Sequence, residues 1–264
     1  MKRIAILIKT TKPEAKIIAE KIENYFIRKK DYRIFTKLNQ LILKRGLDWI
    51  IVLGGDGAML HVANEVASCE IPLIGVNLGH KGYLCRIKKQ DLTKALGSLN
   101  SGNFSVNSYT RIKARIIRQK RVIKEIEALN EIVVGGINRA VWLELKISRG
   151  SKRELIKVVG DGIILSTQIG STAYNVYSGG PILMTDVFSV VACNALFESN
   201  YFLPNTKAFV IPTSARFQIK TLRGGQHLPY VIADGQKDYK LQKGEEVIVT
   251  RSSRITKLIE LTIF

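Results

Sequence analysis

Four consecutive residues, Gly54-Gly55-Asp56-Gly57, carry the strongest chemical signal in this sequence. They stand between a buried-strand pattern, Asp48–Leu53, and a helical pattern over Ala58–Ala67. Glycines at a strand-to-helix turn let the backbone come close to an anion, and the helix N-terminus adds N–H donors and a positive dipole. A carboxylate inside such a cradle is unfavourable unless it has a task. It can take a proton from a hydroxyl, or help to hold a metal ion beside phosphates. The competing reading is a tight turn whose aspartate caps the helix. No Gly-Lys-Ser/Thr follows, so this is not a Walker A loop. Leu60 stands where a dinucleotide fingerprint needs its third glycine, which disfavours hydride transfer on that motif.

A second glycine-rich stretch, Gly75 to Tyr83, follows the next strand pattern, and it contains His80. Loops at the carboxyl ends of adjacent strands in an open α/β sheet line one crevice, so the two stretches are expected to face one ligand. His80 is a candidate phosphate contact or an ordinary surface or capping residue. The other histidines, His61 and His227, are scattered and have no companion cysteines, which argues against a zinc site. Further along come Asn130-Glu131, Asp161-Gly162, Gly170-Ser171-Thr172-Ala173-Tyr174 and Gly179-Gly180-Pro181. Carboxylates suit ribose hydroxyls, amides and small hydroxyls suit adenine edges, and tyrosine offers a stacking face. Asn-Glu and Asp-Gly pairs are also common turn material, so each taken alone reads first as structural. Ser171 lacks a G-x-S-x-G setting and is no hydrolase nucleophile on this pattern.

The elements that must position these residues change character along the chain. Residues 3–8, 48–53 and 72–77 read as short buried strands. Apolar residues recur at helical spacing over Glu14–Arg28, and Asp91–Leu99 reads as a helix with Asp91 as its N-cap. Strands alternating with helices on short loops imply an open parallel α/β sheet. From about residue 103 the patterns turn to alternating or β-branched runs: Tyr109–Arg118, Val122–Leu129, Val141–Ser148, Val158-Val159, Ile163–Ser166, Ala208–Ile211, Phe217–Thr221, Tyr230–Ala233 and Glu246–Arg251. One helix is expected after Ser171-Thr172. The expected division is an α/β domain over 1–102 and a β-rich domain of antiparallel sheets over 103–254. The closing apolar strand, within 255–264, is free to return to the first domain.

Composition bounds the class. With 264 residues, 46% hydrophobic and 24% charged, the chain is globular in composition and long enough for a large core. Cys69, Cys85 and Cys193 are odd in number and outside any CxxC spacing, as expected of reduced core thiols. The N-terminal run Ile4–Ile8 is too short for a signal h-region, and no apolar run approaches a membrane span, so a soluble, cytoplasmic protein is expected. Lys and Arg number 41 against 22 Asp and Glu, a formal charge of +19. The basic residues are dispersed, without aromatic interleaving. A solvated surface that attracts anions is therefore expected, rather than specific nucleic-acid recognition.

Taken in order, these segments resemble the NAD kinase family. The likeness rests on Gly54-Gly55-Asp56-Gly57, Gly75 to Leu84, Leu129-Asn130-Glu131, Asp161 to Thr167, Gly170 to Tyr174, Gly179-Gly180-Pro181 and Asp234-Gly235-Gln236. It covers nearly the whole chain. The resemblance implies an N-terminal α/β domain, a β-rich domain of stacked sheets, and NAD bound between them. It also implies ATP or polyphosphate as donor, a divalent metal such as Mg²⁺, and a homodimer or homotetramer. By position, Asp56 would meet the ribose 2′-hydroxyl, with Gly54, Gly55 and Gly57 cradling phosphates and Tyr83 forming a wall. Asn130 and Thr172 would address adenine and Glu131 its ribose. Asp161 and Ala173 would lie on the nicotinamide side, with Tyr174 packing on the dinucleotide. The chain departs from the family pattern at Gln168-Ile169, at Leu183-Met184-Thr185 and over Cys193–Glu198. The altered 183–198 region leaves one rival, a catalytically weak dinucleotide-binding protein. The shared Gly-Gly-Asp-Gly loop leaves another, a related kinase of lipids or other small hydroxyl compounds, against which Asn130-Glu131 and Gly170 to Tyr174 argue for a dinucleotide.

Overall fold

The computed structural model describes residues 1–79, 82–198, 207–222 and 227–262. The chain forms two compact units, Met1–Tyr109 with Arg254–Phe264, and Thr110–Ser253. The division falls at Tyr109/Thr110 rather than at 102/103. Its position is inside one uninterrupted strand that begins at Phe104, five residues ahead of the expected start.

The first unit runs β1 (Lys2–Ile8), α1 (Glu14–Ile27), β2 (Tyr32–Phe35), α2 (Gln40–Lys44), β3 (Trp49–Gly54), α3 (Asp56–Glu65), β4 (Leu73–Asn77), β5 (Ile87–Lys88) and α4 (Leu92–Ser101). Its sheet has the order β2-β1-β3-β4, and every pairing in it is parallel. β3 is buried at all six positions. An unbroken Trp-Ile-Ile-Val-Leu run suits a strand covered on both faces. Ile4, Ile6, Ile51, Leu53, Ile74 and Val76 pack against Ile18, Ile22 and Phe26 of α1 and against Leu96 and Leu99 of α4. The order reverses between β1 and β3, and ligands of open α/β sheets bind outside strand carboxyl ends at such a switch point.

β6 (Phe104–Arg118) leads into the second unit. There follow β7 (Arg121–Ala128), β8 (Glu131–Gly135), β9 (Val141–Arg149), β10 (Lys152–Gly160), β11 (Gly162–Ser166), α5 (Tyr174–Tyr177), β12 (Val187–Cys193), β13 (Leu196–Glu198), β14 (Ala208–Pro212), β15 (Arg216–Thr221), β16 (Tyr230–Ala233), β17 (Lys237–Lys240) and β18 (Glu246–Leu261). One antiparallel sheet has the order β14-β12-β11-β8-β16-β17. A second antiparallel run joins β13, β10, β9, β15 and the first half of β18, with Phe217 opposite Val249. Side chains of both, among them Ile132, Leu165, Phe188, Leu145, Val158 and Phe217, share one core. The closing strand is thus the far end of β18: Leu258 pairs in parallel with Leu73 of β4, inside the first unit.

Three local expectations are corrected. Asp91 stands at the N-cap of α4 as expected but makes no side-chain capping bond; it also closes a 3₁₀ turn over Lys89–Asp91. Cys69 is exposed, whereas Cys85 and Cys193 are buried as core thiols. α3 starts two residues before Ala58, with Gly55 as its cap; the Gly55 carbonyl accepts from Ala58 N–H and Met59 N–H. Several elements lie outside the sequence reading, among them β2, α2, β5, β12, β13 and β17. β2 is a half-buried edge strand, and α2 is a single short helix capped by Asn39, whose Oδ1 accepts from Ile42 N–H at 2.8 Å. Neither of these two has enough apolar periodicity to announce itself.

Candidate functional site

The Gly54–Gly57 turn is at the carboxyl end of β3, and Asp56 opens the first turn of the ten-residue helix α3. Gly54 pairs with Asn77 in the parallel register, and Leu78 N–H donates to the Gly54 carbonyl at 3.0 Å, so the two glycine-rich stretches do meet. The three glycines are not equivalent. A Cβ on Gly54 would stand 2.5 Å from the Ala58 Cβ, so this glycine is needed for helix–strand packing. Around Gly55 and Gly57 the same construction meets open space. Those two are the ones that leave room for an anion beside the helix N-terminus.

Asp56 makes no cap. Its Oδ2 accepts from Tyr83 N–H at 2.7 Å, and its Oδ1 from Leu84 N–H and Cys85 N–H at 3.0 Å each. The carboxylate therefore pins the segment after the second glycine stretch. Gly82 permits this: a Cβ there would stand 2.6 Å from Asp56 Oδ1. A carboxylate offers about four acceptor sites, and Oδ1 takes two of these donors while Oδ2 takes one. Oδ2 accordingly keeps room for a hydroxyl donor. Tyr83 is 55% exposed, so its ring is free to act as a wall while its backbone is held. Cys85 is buried beneath the turn, and desolvation, with the Asp56 charge second, pushes its thiol up to about 12. His80, the candidate phosphate contact, lies outside the described residues together with Lys81.

The remaining candidates gather in the second unit. A cleft of about 480 Å³ is lined by Glu131, Asp161, Tyr174, Cys193, Asp234 and the glycines of the β8 and β11 ends, among others. Glu131 is 6% exposed, and burial, with the Asp234 charge second, raises its carboxyl to about 8. Its Oε2 and the Oδ1 of neighbouring Asn130 are buried and find no hydrogen-bond partner among the described residues. Buried polar groups are nearly always satisfied by protein or water, so two adjacent orphans beside the cleft make this a candidate place for a ligand. Asp161 is fixed at the mouth by Asn194 Nδ2, which donates to its Oδ2 at 2.8 Å. Asp234 is the residue that sequence reasoning left without a role. Its carboxylate accepts from Leu129, Asn130 and Glu131 N–H at 2.9, 2.7 and 3.3 Å. The visible signal was Asp234-Gly235-Gln236 after a strand pattern.

Residues 167–181 form a loop that packs on Asn130. Thr167 N–H donates to the Asn130 carbonyl at 2.8 Å, and Thr167 Oγ1 donates to Leu129 O at 2.6 Å. Gly170 lies against the same carbonyl. Thr172 is in a 3₁₀ turn with its hydroxyl 3.5 Å from Ile169 O, Ala173 precedes α5, and Tyr174 opens it at 48% exposure. Asn175, fully buried, staples the loop: its Nδ2 donates to Ser171 O and to Pro181 O. Asn130, Glu131, Asp161, Thr172, Ala173 and Tyr174 thus belong to one unit, and Asp56, its glycines and Tyr83 to the other.

The fold and these candidate sites define the class: a protein of two units, one α/β with a glycine turn at a strand's carboxyl end and one antiparallel with an acid-lined cleft. Residues 8–104 match the ATP-NAD kinase N-terminal domain and residues 129–261 the ATP-NAD kinase C-terminal domain. The NAD kinase of Treponema denticola is 33% identical over 263 residues, covering 98% of this chain and 90% of that protein. The NAD kinase of Natranaerobius thermophilus is 31% identical over 219 residues, covering 81% of this chain and 73% of that protein. Among solved structures, an NAD kinase from Archaeoglobus fulgidus in complex with ATP superposes with a TM-score of 0.72 at 21% identity, covering 98% of this chain and 94% of that one. A yeast NADH kinase complexed with NADH gives 0.80 at 18% identity, with 99% and 84% covered. The chain belongs to the NAD kinase family.

Proposed function

We propose that this protein is an NAD kinase that transfers the terminal phosphoryl group of ATP, or of polyphosphate, to the 2′-hydroxyl of the adenosine ribose of NAD, forming NADP. The observation that carries this reading is the pair of buried, unpartnered acceptors, Asn130 Oδ1 and Glu131 Oε2, beside an acid-lined cleft. Asn130 and Thr172 read adenine, and Glu131 binds its ribose. Asp161 and Ala173 serve the nicotinamide end, and Tyr174 packs on the dinucleotide. In the first unit Asp56 accepts the hydroxyl hydrogen through Oδ2, while the Gly54–Gly57 turn, with open space around Gly55 and Gly57, leaves room for phosphate at the helix N-terminus; Tyr83 supplies the wall. Proton removal and fixed donors toward phosphoryl oxygens are the two contributions such a site can make.

Among the described residues, no three His, Cys, Asp or Glu side chains gather to hold a metal ion. A resident metal centre does not fit these residues. Mg²⁺ keeps much of its water and leans on substrate phosphates, so the divalent ion is read as arriving with the nucleotide donor. A homodimer or homotetramer is part of the reading, supported by the exposed apolar side chains Tyr177, Ile182 and Met184. No helix among the described residues is long and apolar enough to cross a membrane. A cytoplasmic site of action is supported by three free cysteines.

A coupled assay for NADP, run with ATP and polyphosphate against NAD and NADH with several divalent metals, tests the reading. NADP formation is expected with at least one donor. Tight NAD binding without NADP under any combination points instead to a catalytically weak dinucleotide-binding protein.

A further inference from the structure

We infer that Asp234 is the positioning residue of the Leu129–Glu131 segment, and that its buried carboxylate sets how Asn130 and Glu131 meet the dinucleotide. The inference rests on the proposed NAD kinase reading and adds a residue to it. Asp234 is 6% exposed and stands in the left-handed region, with φ at +51°. A non-glycine residue keeps that conformation at a cost unless its surroundings over-determine it. Here they do. Three consecutive N–H groups converge on its two oxygens: Oδ1 accepts from Asn130 and Glu131, and Oδ2 from Leu129. In return Asp234 N–H donates to the Glu131 carbonyl at 3.1 Å.

Regular strand pairing does not hold Leu129 and Asn130. Leu129 and Asn130 lie between the end of β7 and the start of β8, so their N–H groups need an acceptor from elsewhere. The acceptor chosen is a charge, which makes each bond stronger than one to a carbonyl. The carbonyls of the same short segment are also taken, by Thr167. With its backbone bound on both sides, the segment presents Asn130 and Glu131 in a single orientation. Asp234 reaches the ligand site only through these residues. Its charge also acts on Glu131, whose other titratable neighbours in the cleft are Asp161, Tyr174 and Cys193.

Asp234→Asn and Asp234→Ala are compared with wild type. Asparagine tolerates a left-handed backbone and can keep two of the three bonds through Oδ1. Its amide meets Leu129 N–H donor to donor, and the negative charge is gone. Expected results are faster hydrogen exchange at Leu129 in the asparagine variant, and at Leu129–Glu131 in the alanine variant. The KM for NAD should rise about 10- to 100-fold in Asp234→Asn, as for loss of a charge-assisted hydrogen bond, with kcat falling less. The pH limb attributable to Glu131 should move to lower pH, since one of the two causes raising its carboxyl is removed. Wild-type KM and an unmoved pH profile in a folded Asp234→Asn overturn the inference. So does faster amide exchange with no change in NAD affinity, which marks a structural staple only. A wild-type protein that forms no NADP sinks the proposed function instead, and the exchange and binding measurements still judge Asp234.

Discussion

Gly170 sits directly against the carbonyl of Asn130: a Cβ on this glycine would stand 2.1 Å from the Asn130 oxygen and 2.5 Å from its Cα. The contact is backbone to backbone, so no flexible side chain can yield. The loop that carries Thr172, Ala173 and Tyr174 is therefore seated on Asn130, the residue we propose reads adenine. Gly170→Ala must push the two segments apart. Overpacking of this kind costs typically ~1–3 kcal/mol, and the shift falls on Asn130 itself. A lower Tm together with weaker NAD binding is expected, by calorimetry and titration. Unchanged NAD affinity would show that the loop and Asn130 are not coupled.

Asp56 gives the sharpest functional prediction. General-base help is commonly worth ~10²–10⁴-fold, so Asp56→Asn should lose about that much turnover while the protein folds and binds NAD. Asparagine can keep only one oxygen for Tyr83, Leu84 and Cys85, so a modest fall in Tm should accompany the loss. Retention of at least a third of the wild-type rate would remove the base assignment and leave Asp56 as the anchor of the 83–85 segment.

Glu131 makes stability depend on pH. Its folded-state carboxyl is raised from 4.5 to about 8, chiefly by burial. The folded protein thus holds a proton that the unfolded chain has already released between those values. By linkage, stability from this group is fully present below about 4.5 and is lost as pH rises through about 8. Glu131→Gln carries no such charge. Its Tm relative to wild type should climb between pH 5 and pH 9, and a flat difference across that range would contradict the raised value.

Asn130 and Glu131 should also matter for affinity. A buried polar contact that loses its partner costs ~1–3 kcal/mol, so Glu131→Ala should weaken NAD binding or turnover by about 5- to 150-fold. Unaltered kinetics for both alanine variants, with the fold intact, takes the pair out of the site.

The +19 charge is expected to serve solubility and anion attraction. Binding to duplex DNA should be weak, indifferent to sequence, and lost steeply as salt rises. A sequence-specific complex that survives physiological salt, seen in a mobility-shift titration, would reverse this.

Much of the fold was legible because it is written in short-range pattern. The buried β3 run, the helical spacing of α1 and the alternation of β9 are each local consequences of burial on two faces, one stripe or one face. The glycine turn, too, was legible as the junction of a buried strand and a helix. What the residue string left open was which polar groups hold one another. Whether Asp56 caps its helix or reaches Tyr83, Leu84 and Cys85 depends on β3 lying beside β4, a pairing between residues far apart in the chain. Asp234 lies more than a hundred residues from the N–H groups it binds, and no local periodicity encodes that distance. The same holds for Glu131, whose proton affinity comes from desolvation by the folded unit and from Asp234. Residue types and spacing determined the elements and the chemistry on offer; only tertiary packing decided which carboxylate anchors backbone and which keeps a buried, unpartnered oxygen.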